Sequence, residues 1–306
     1  MTNMYGRHSL FEPAAHWSQV PSGLPLVALL DGYRDAGRTV ALAVETMLDH
    51  DEGELVAVFS TDALLDYRAR RPIVHVDGTQ ITEFRTARLD LRLLRDSIGQ
   101  PFLLLSGFEP DFQWEGFTAA MHELISHFEV SSVTWAHSIP MPVPHTRPIR
   151  VAATGNRTDL IDQLSVWKAH VQAPAHALHL LEYERTHAEQ DVLSVVVLTP
   201  HYLAEGSFPA AAMRLLEALG TVEGILIPTE SLRERDRTFR ADFDASLTDN
   251  QEAQQLIGVL ETQYDGFLKG TPLENPFADA DGELPDAEKI AAELERYLKS
   301  RSDGSK

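Results

Sequence analysis

Apolar residues along this chain fall into two recurring patterns. Short unbroken runs, "LPLVALL" (24–30), "ELVAVFS" (54–60), "PFLLLSG" (101–107), "SSVTWAH" (131–137), "PIRVAAT" (148–154) and "VLSVVVLTP" (192–200), have the length and composition of buried strands. Between them, apolar residues return at helical spacing. Residues 38–50 put Val40, Val44, Met47 and Leu48 on one face, and 116–130 and 209–219 repeat the device. A helical stretch spans about 158–190 and breaks near Pro174, "EGILIP" (223–228) reads as a weaker strand, and "IVHVDGTQITEF" (73–84) reads as a hairpin turning on Asp77-Gly78. Strands alternating with helices predict an α/β fold, with a central mixed, mostly parallel sheet flanked by helices.

Beyond about residue 230 the strand-like runs stop. Ala253, Leu256, Leu260, Tyr264 and Phe267 recur at helical spacing and Gly270 can end that helix. A polar, proline-containing linker follows, then a last amphipathic pattern, "DAEKIAAELERYL" (286–298). The expected organisation is an α/β core domain over 1–230 and a helical appendage with a flexible tail over 231–306. No internal repeat is visible.

Charge narrows the range of partners. The formal net charge is −20, so the surface repels phosphate backbones and anionic lipid, and neither nucleic acid nor membrane is expected as a partner. The chain has no cysteine, which removes disulfides, thiolate metal sites and a cysteine nucleophile. "MTNMYGRHSLFEPAAHW" lacks the apolar core of a signal peptide, and a cytoplasmic location is expected.

Candidate chemistry concentrates after strands, where open α/β sheets bind ligands. "LLDGYRDAGRT" is one residue from a phosphate loop, but Arg38 stands where that loop needs lysine. Asp31 and Asp35 would repel a triphosphate, and Asp35 suits a helix N-cap. ATP binding through 32–39 is therefore the weakest functional reading. "SGFEPDFQWEGF" (106–117) places Glu109, Asp111 and Trp114 after a central strand, as a carboxylate pair or as a plain turn in which Asp111 caps the next helix. "HSIPMPVPHTRPIR" (137–150) holds His145 and Arg147 on a proline-stiffened segment able to bind an anion. "LTPHYLAEGSFP" (198–209) brings His201 after another strand end. The expected ligand-binding rim is thus Asp31, Arg34, Asp35, Glu109, Asp111, Trp114, His145, Arg147 and His201. Arg68, Arg70 and Arg71 suit an anion or the carboxylates of a neighbouring subunit. No metal is expected: His122 and His127 lie about 140° apart on a helix, and "HALH" (176–179) has no evident third ligand. Neither G-x-S-x-G nor G-x-G-x-x-G occurs.

Taken in order, "LLDGYRDAG", "DYRARRP", "LLLSGFEPDFQWEGF", "PMPVPHTRP" and "TPHYLAEGSFPAAAMRLLEAL" resemble the proteasome-assembly-chaperone type 2 family in its actinobacterial form, over about residues 20–230. The resemblance implies a sheet covered on both sides, similar to the nucleoside phosphorylase and hydrolase-like fold. It also implies a homo-oligomer and protein partners of the proteasome α-subunit kind. It carries no catalytic residues and no cofactor. Family members often dock through a C-terminal hydrophobic–Tyr–any-residue tail. Here "RYL" (Arg296 to Leu298) is the only echo, and it is internal, so docking by that route is not expected. The competing reading is an enzyme or small-molecule binder with a phosphorylase-like crevice.

Overall fold

The computed structural model describes residues 10–32, 35–165, 171–248 and 250–270, with 267–270 described by backbone alone. Its strands are β1 (Phe11–Pro13), β2 (Leu26–Asp31), β3 (Glu54–Phe59), β4 (Ile73–Asp77), β5 (Gln80–Arg85), β6 (Leu89–Arg95), β7 (Pro101–Phe108), β8 (Val133–Met141), β9 (Val151–Gly155) and β10 (Val192–Pro200). The helices are α1 (Thr39–His50), α2 (Thr61–Leu64), α3 (Trp114–His127), α4 (Thr158–Leu164), α5 (Ala177–His187), α6 (Pro209–Glu223), α7 (Glu230–Leu247) and α8 (Gln251–Gly270).

Unbroken apolar runs are buried on both faces, which puts them in the middle of a sheet. The main sheet has eight strands in the order β1-β3-β6-β7-β2-β8-β10-β9. The central β7, β2, β8 and β10 are parallel, with Asp31 beside Phe108 and Pro200 beside Met141 at one end. The flanking strands pair antiparallel, giving a mixed, mostly parallel sheet. Alternation along β2 divides the core. Leu26, Ala28 and Leu30 face α3 and α5 through Phe117, Met121, Leu124, Leu178 and Leu181. Val27 and Leu29 face α1, α6 and α7 through Leu42, Met47, Leu215, Leu219 and Leu232. A third cluster, Met141, Val143 and Leu198 with Tyr264, seats α8.

Three local expectations change. The 223–228 segment is not a strand: Gly224 ends α6 in the left-handed region (φ 72°), and Leu226 N–H donates to Asp96 at 3.0 Å. The hairpin loop is Gly78-Thr79, since Asp77 already pairs with Gln80. A strand at 89–95, absent from the sequence reading, bridges β3 and β7. The expected final helix at 286–298 lies outside the described residues. Among the described residues no helix is long and apolar enough to cross a membrane.

Candidate functional site

Because β2, β7, β8 and β10 share a direction, the segments after them emerge at the same end of the sheet. Of the expected rim, Asp31 and Asp35 end or follow β2, Glu109, Asp111 and Trp114 follow β7, His145 and Arg147 follow β8, and His201 follows β10. Arg34 lies outside the described residues. The structure sorts the other eight into two polar groups and one separate tryptophan.

The first group is built around Arg70, expected from the sequence to meet an anion or a neighbouring subunit's carboxylates and found instead on a carboxylate of its own chain. Its guanidinium donates to the carbonyls of Glu109 (2.6 Å) and Asp31 (3.4 Å), pairs with the Asp111 carboxylate (2.6 Å) and lies over the Phe108 ring (5.3 Å). The other Asp111 oxygen accepts from Asp66 N–H at 2.6 Å, so Asp111 ties two loops together and does not cap α3. Glu109 is buried and accepts from Ala177 N–H at 2.8 Å, the first turn of α5. Burial pushes its carboxyl upward, against the opposing pull of that hydrogen bond and of Arg70. Gly32 makes this packing feasible, since a Cβ there would stand 2.7 Å from the Glu109 Cβ.

The second group holds the loops after β8 and β10. Asp35 caps α1 from outside it, accepting from Val40 N–H (2.8 Å) and Ala41 N–H (2.9 Å). Burial pushes its carboxyl up to about 6. The N–H groups that a phosphate would need at this helix start are therefore occupied. Gly37 bonds to both Ala204 and Phe208, which fixes this loop to the segment after β10. There the Tyr202 hydroxyl accepts from His145 N–H (2.8 Å) and bonds His145 Nδ1 (2.7 Å), and the His201 ring lies 5.4 Å from the Tyr202 ring. Burial lowers both histidines and raises Tyr202 to about 12.

Arg147 reaches the C-terminal helices, bonding Asp265 at 2.7 and 2.9 Å and Glu261 at 3.1 Å. Its hydrogen bonds to Asp265 raise its already high pKa. Thr146 bonds Glu261, and Tyr264 donates to the Pro148 carbonyl at 2.7 Å. The stiff segment after β8 is thus the seat of α8. Arg147→Ala is expected to speed amide exchange across 255–266 and leave β10 unchanged. Unchanged protection would mean that Thr146 and Tyr264 seat the helix without Arg147.

Trp114 donates its indole N–H to the Pro110 carbonyl (2.7 Å) and lines a separate, mainly apolar cavity of about 570 Å³ with Ala175, His179, Leu180, Glu182 and Tyr183. Beneath it lies a cluster that sequence reasoning missed. Trp135 is fully buried and donates to Glu182 at 2.8 Å, while Thr154 donates to the other Glu182 oxygen at 2.6 Å. His137 and His176 stack on Trp135 with ring centroids at 5.0 and 5.3 Å, and His179 meets it edge-on at 4.6 Å. The Nδ1 of His137 and the Nε2 of His176 are buried without a hydrogen-bond partner. The signals were present: Trp135 and His137 share one face of a strand, and His176 and His179 are the "HALH" pair. Among the described residues no group of three or more His, Asp or Glu is arranged to hold a metal ion.

The PAC2 family profile matches residues 29–245. A Mycobacterium tuberculosis protein of unknown function, Rv2714, is 35% identical, with a TM-score of 0.81 over 88% of this chain and 96% of its own. A PAC2 family protein from Streptomyces avermitilis is 25% identical, with a TM-score of 0.66 over 75% and 97%. A proteasome-assembly chaperone homologue from M. tuberculosis, Rv2125, shares the fold at 19% identity, with a TM-score of 0.70 over 76% and 100%. No curated protein matches the chain.

Proposed function

The chain belongs to the PAC2 family, and from that premise we propose that it is a non-catalytic binding protein of the assembly-chaperone type. In this reading it works as a cytoplasmic homo-oligomer on subunits of proteasome-type complexes. One observation supports it above the rest: the charged groups at the strand ends are committed to each other. Arg70 answers Asp111, Glu109 holds the start of α5, Asp35 holds the start of α1, and Arg147 answers Glu261 and Asp265. A catalytic rim would keep some of these groups turned toward a substrate. Here they lock loops and place the outer helices, which suits a rigid surface that other proteins meet.

The second reading, a small-molecule binder, is favoured by the apolar cavity beside Trp114 and by the unpartnered nitrogens beneath it. One pair of experiments separates the two. Full-length protein immobilised on resin is expected to retain proteasome α-subunits. Thermal-shift screening with nucleosides, phosphate and nucleotides is expected to give no specific stabilisation. A reproducible shift with one ligand, together with no retention of α-subunits, would overturn the chaperone reading.

A further inference from the structure

In the cavity beside α5, Trp114, Ala175, Leu180 and Tyr183 supply apolar and aromatic surface, and His179 and Glu182 supply polar groups. Two backbone bonds fix which nitrogen of each α5 histidine carries the proton. His176 Nδ1 accepts from Leu178 N–H at 3.0 Å, and His179 Nδ1 accepts from His176 N–H at 2.8 Å. Burial keeps both rings neutral at pH 7, so the single proton of each sits on Nε2 and both offer an N–H donor. The His176 donor is buried and meets no acceptor. The Nδ1 of His137 is buried and unmet as well, on a ring whose centroid lies 5.6 Å from that of His179. Each such group costs about 1–3 kcal/mol when left unmet. Glu182 accepts one hydrogen bond on each oxygen, from Trp135 and from Thr154, and each oxygen has a second lone pair.

Charge selects the ligand. Among the described residues no lysine or arginine lines the cavity. A carboxylate or phosphate would stand beside Glu182 with no cation to answer it, and removing its water is costly. A cation would find Glu182 already bonded by two donors and pushed by burial toward its neutral form. The groups present match an uncharged molecule with one carbonyl and one N–H. The carbonyl accepts from a histidine Nε2–H, and the N–H reaches a remaining lone pair of Glu182. Trp114 and Tyr183 favour a flat ring as its body.

We propose that the cavity beside α5 binds an uncharged aromatic amide, with the α5 histidines donating to its carbonyl and Glu182 accepting from its N–H. The proposal rests on the small-molecule reading of that cavity and names the ligand class. Nucleosides, nucleotides and phosphate lie outside the class, because ribose and phosphate bring hydroxyls or charge that an apolar wall leaves unmet. Full-length protein titrated with benzamide, benzoate and benzamidinium, which share one shape and differ in charge, tests it by tryptophan fluorescence and thermal shift. Benzamide is expected to bind about 10-fold or more tightly than either charged probe. His179→Phe keeps a ring and loses the donor, and is expected to weaken benzamide about 10-fold. Leu180→Trp keeps every polar group and fills the cavity, and is expected to weaken it at least as much. Benzamide binding that survives His179→Phe but not Leu180→Trp would overturn the assignment of donors. If a charged probe binds more tightly and Leu180→Trp removes that binding, the small-molecule reading stands and the uncharged class falls. If no probe binds, or Leu180→Trp leaves binding unchanged, the cavity is not the site and both fall.

Discussion

Acidification from pH 7 to about pH 4.5 is expected to cost about 5 kcal/mol of folding stability through two side chains, His137 and His176. Both are buried, at 5% and 1% exposure, and both stack on Trp135. Burial first, and neighbouring histidines second, push each ring down to about 3 from its ordinary value of 6.5. In the unfolded chain the same rings take up protons near pH 6.5, so below that value the unfolded state binds protons that the folded state refuses. Their contribution is present in full above pH 6.5 and is lost as pH falls toward about 3. Each ring costs about 1.4 kcal/mol per pH unit in that window. Lowered His145, His179 and His201 act in the same direction. Asp35, raised to about 6, acts against them. It gains its proton in the fold before it does in the unfolded chain, and so returns about 2 kcal/mol between pH 6 and 4. Raised Glu109 and Glu182 oppose the loss as well. The histidine part is isolated by His137→Gln, which has similar volume and does not titrate. Urea midpoints at the two pH values are expected to show the variant losing about 2–3 kcal/mol less than wild type on acidification. Equal losses would show that His137 is protonated in the fold.

Such a cluster shows what single-sequence reading reaches. Central strands were legible because their apolar runs are unbroken, and β10 begins and ends where the "VLSVVVLTP" run does. The strand β6 was legible too and went unread: Leu89, Leu91 and Leu93 alternate with Asp90 and Arg92, a half-buried pattern that its two arginines and aspartate obscured. "EGILIP" misled because an apolar hexamer also suits a buried loop, and Ile225 packs in the core without pairing. Positions after strand ends were legible from topology alone, as Glu109 and His201 illustrate. Their partners were not. Arg70 lies 39 residues from Glu109 and Arg147 lies 118 from Asp265, and no spacing rule joins groups that only the fold brings together. The exposure of β4 and β5 was equally hidden, because alternation predicts a buried face without saying that the face is left bare.

The Gly107→Ala variant is expected to lose about 4 kcal/mol or more, or to fail to fold, although it adds one methyl group. Gly107 sits near the end of β7 at φ +134°, a backbone conformation that side-chain-bearing residues rarely adopt. Its Cβ would stand 1.9 Å from the carbonyl oxygen of Arg88 and 2.8 Å from the Cα of Leu89. Both atoms are backbone, so no rotamer change relieves the collision. Leu89 is the residue paired with Gly107 across β6 and β7, and Phe108 N–H bonds the same Arg88 carbonyl at 3.2 Å. Relief requires the strands to separate where β7 hands the chain to Glu109, which bonds Asp31 at 2.8 Å and thereby holds the first polar group in register. Gly78→Ala is the control: φ is +60° and nothing lies within 4 Å of its Cβ, so it carries backbone strain without a collision and is expected to cost about 1 kcal/mol. Urea unfolding of the two variants, followed by tryptophan fluorescence, measures the difference. A Gly107→Ala midpoint as close to wild type as that of Gly78→Ala would show that β6 and β7 can part here without cost, and that the close approach does not hold the Arg70 group in place.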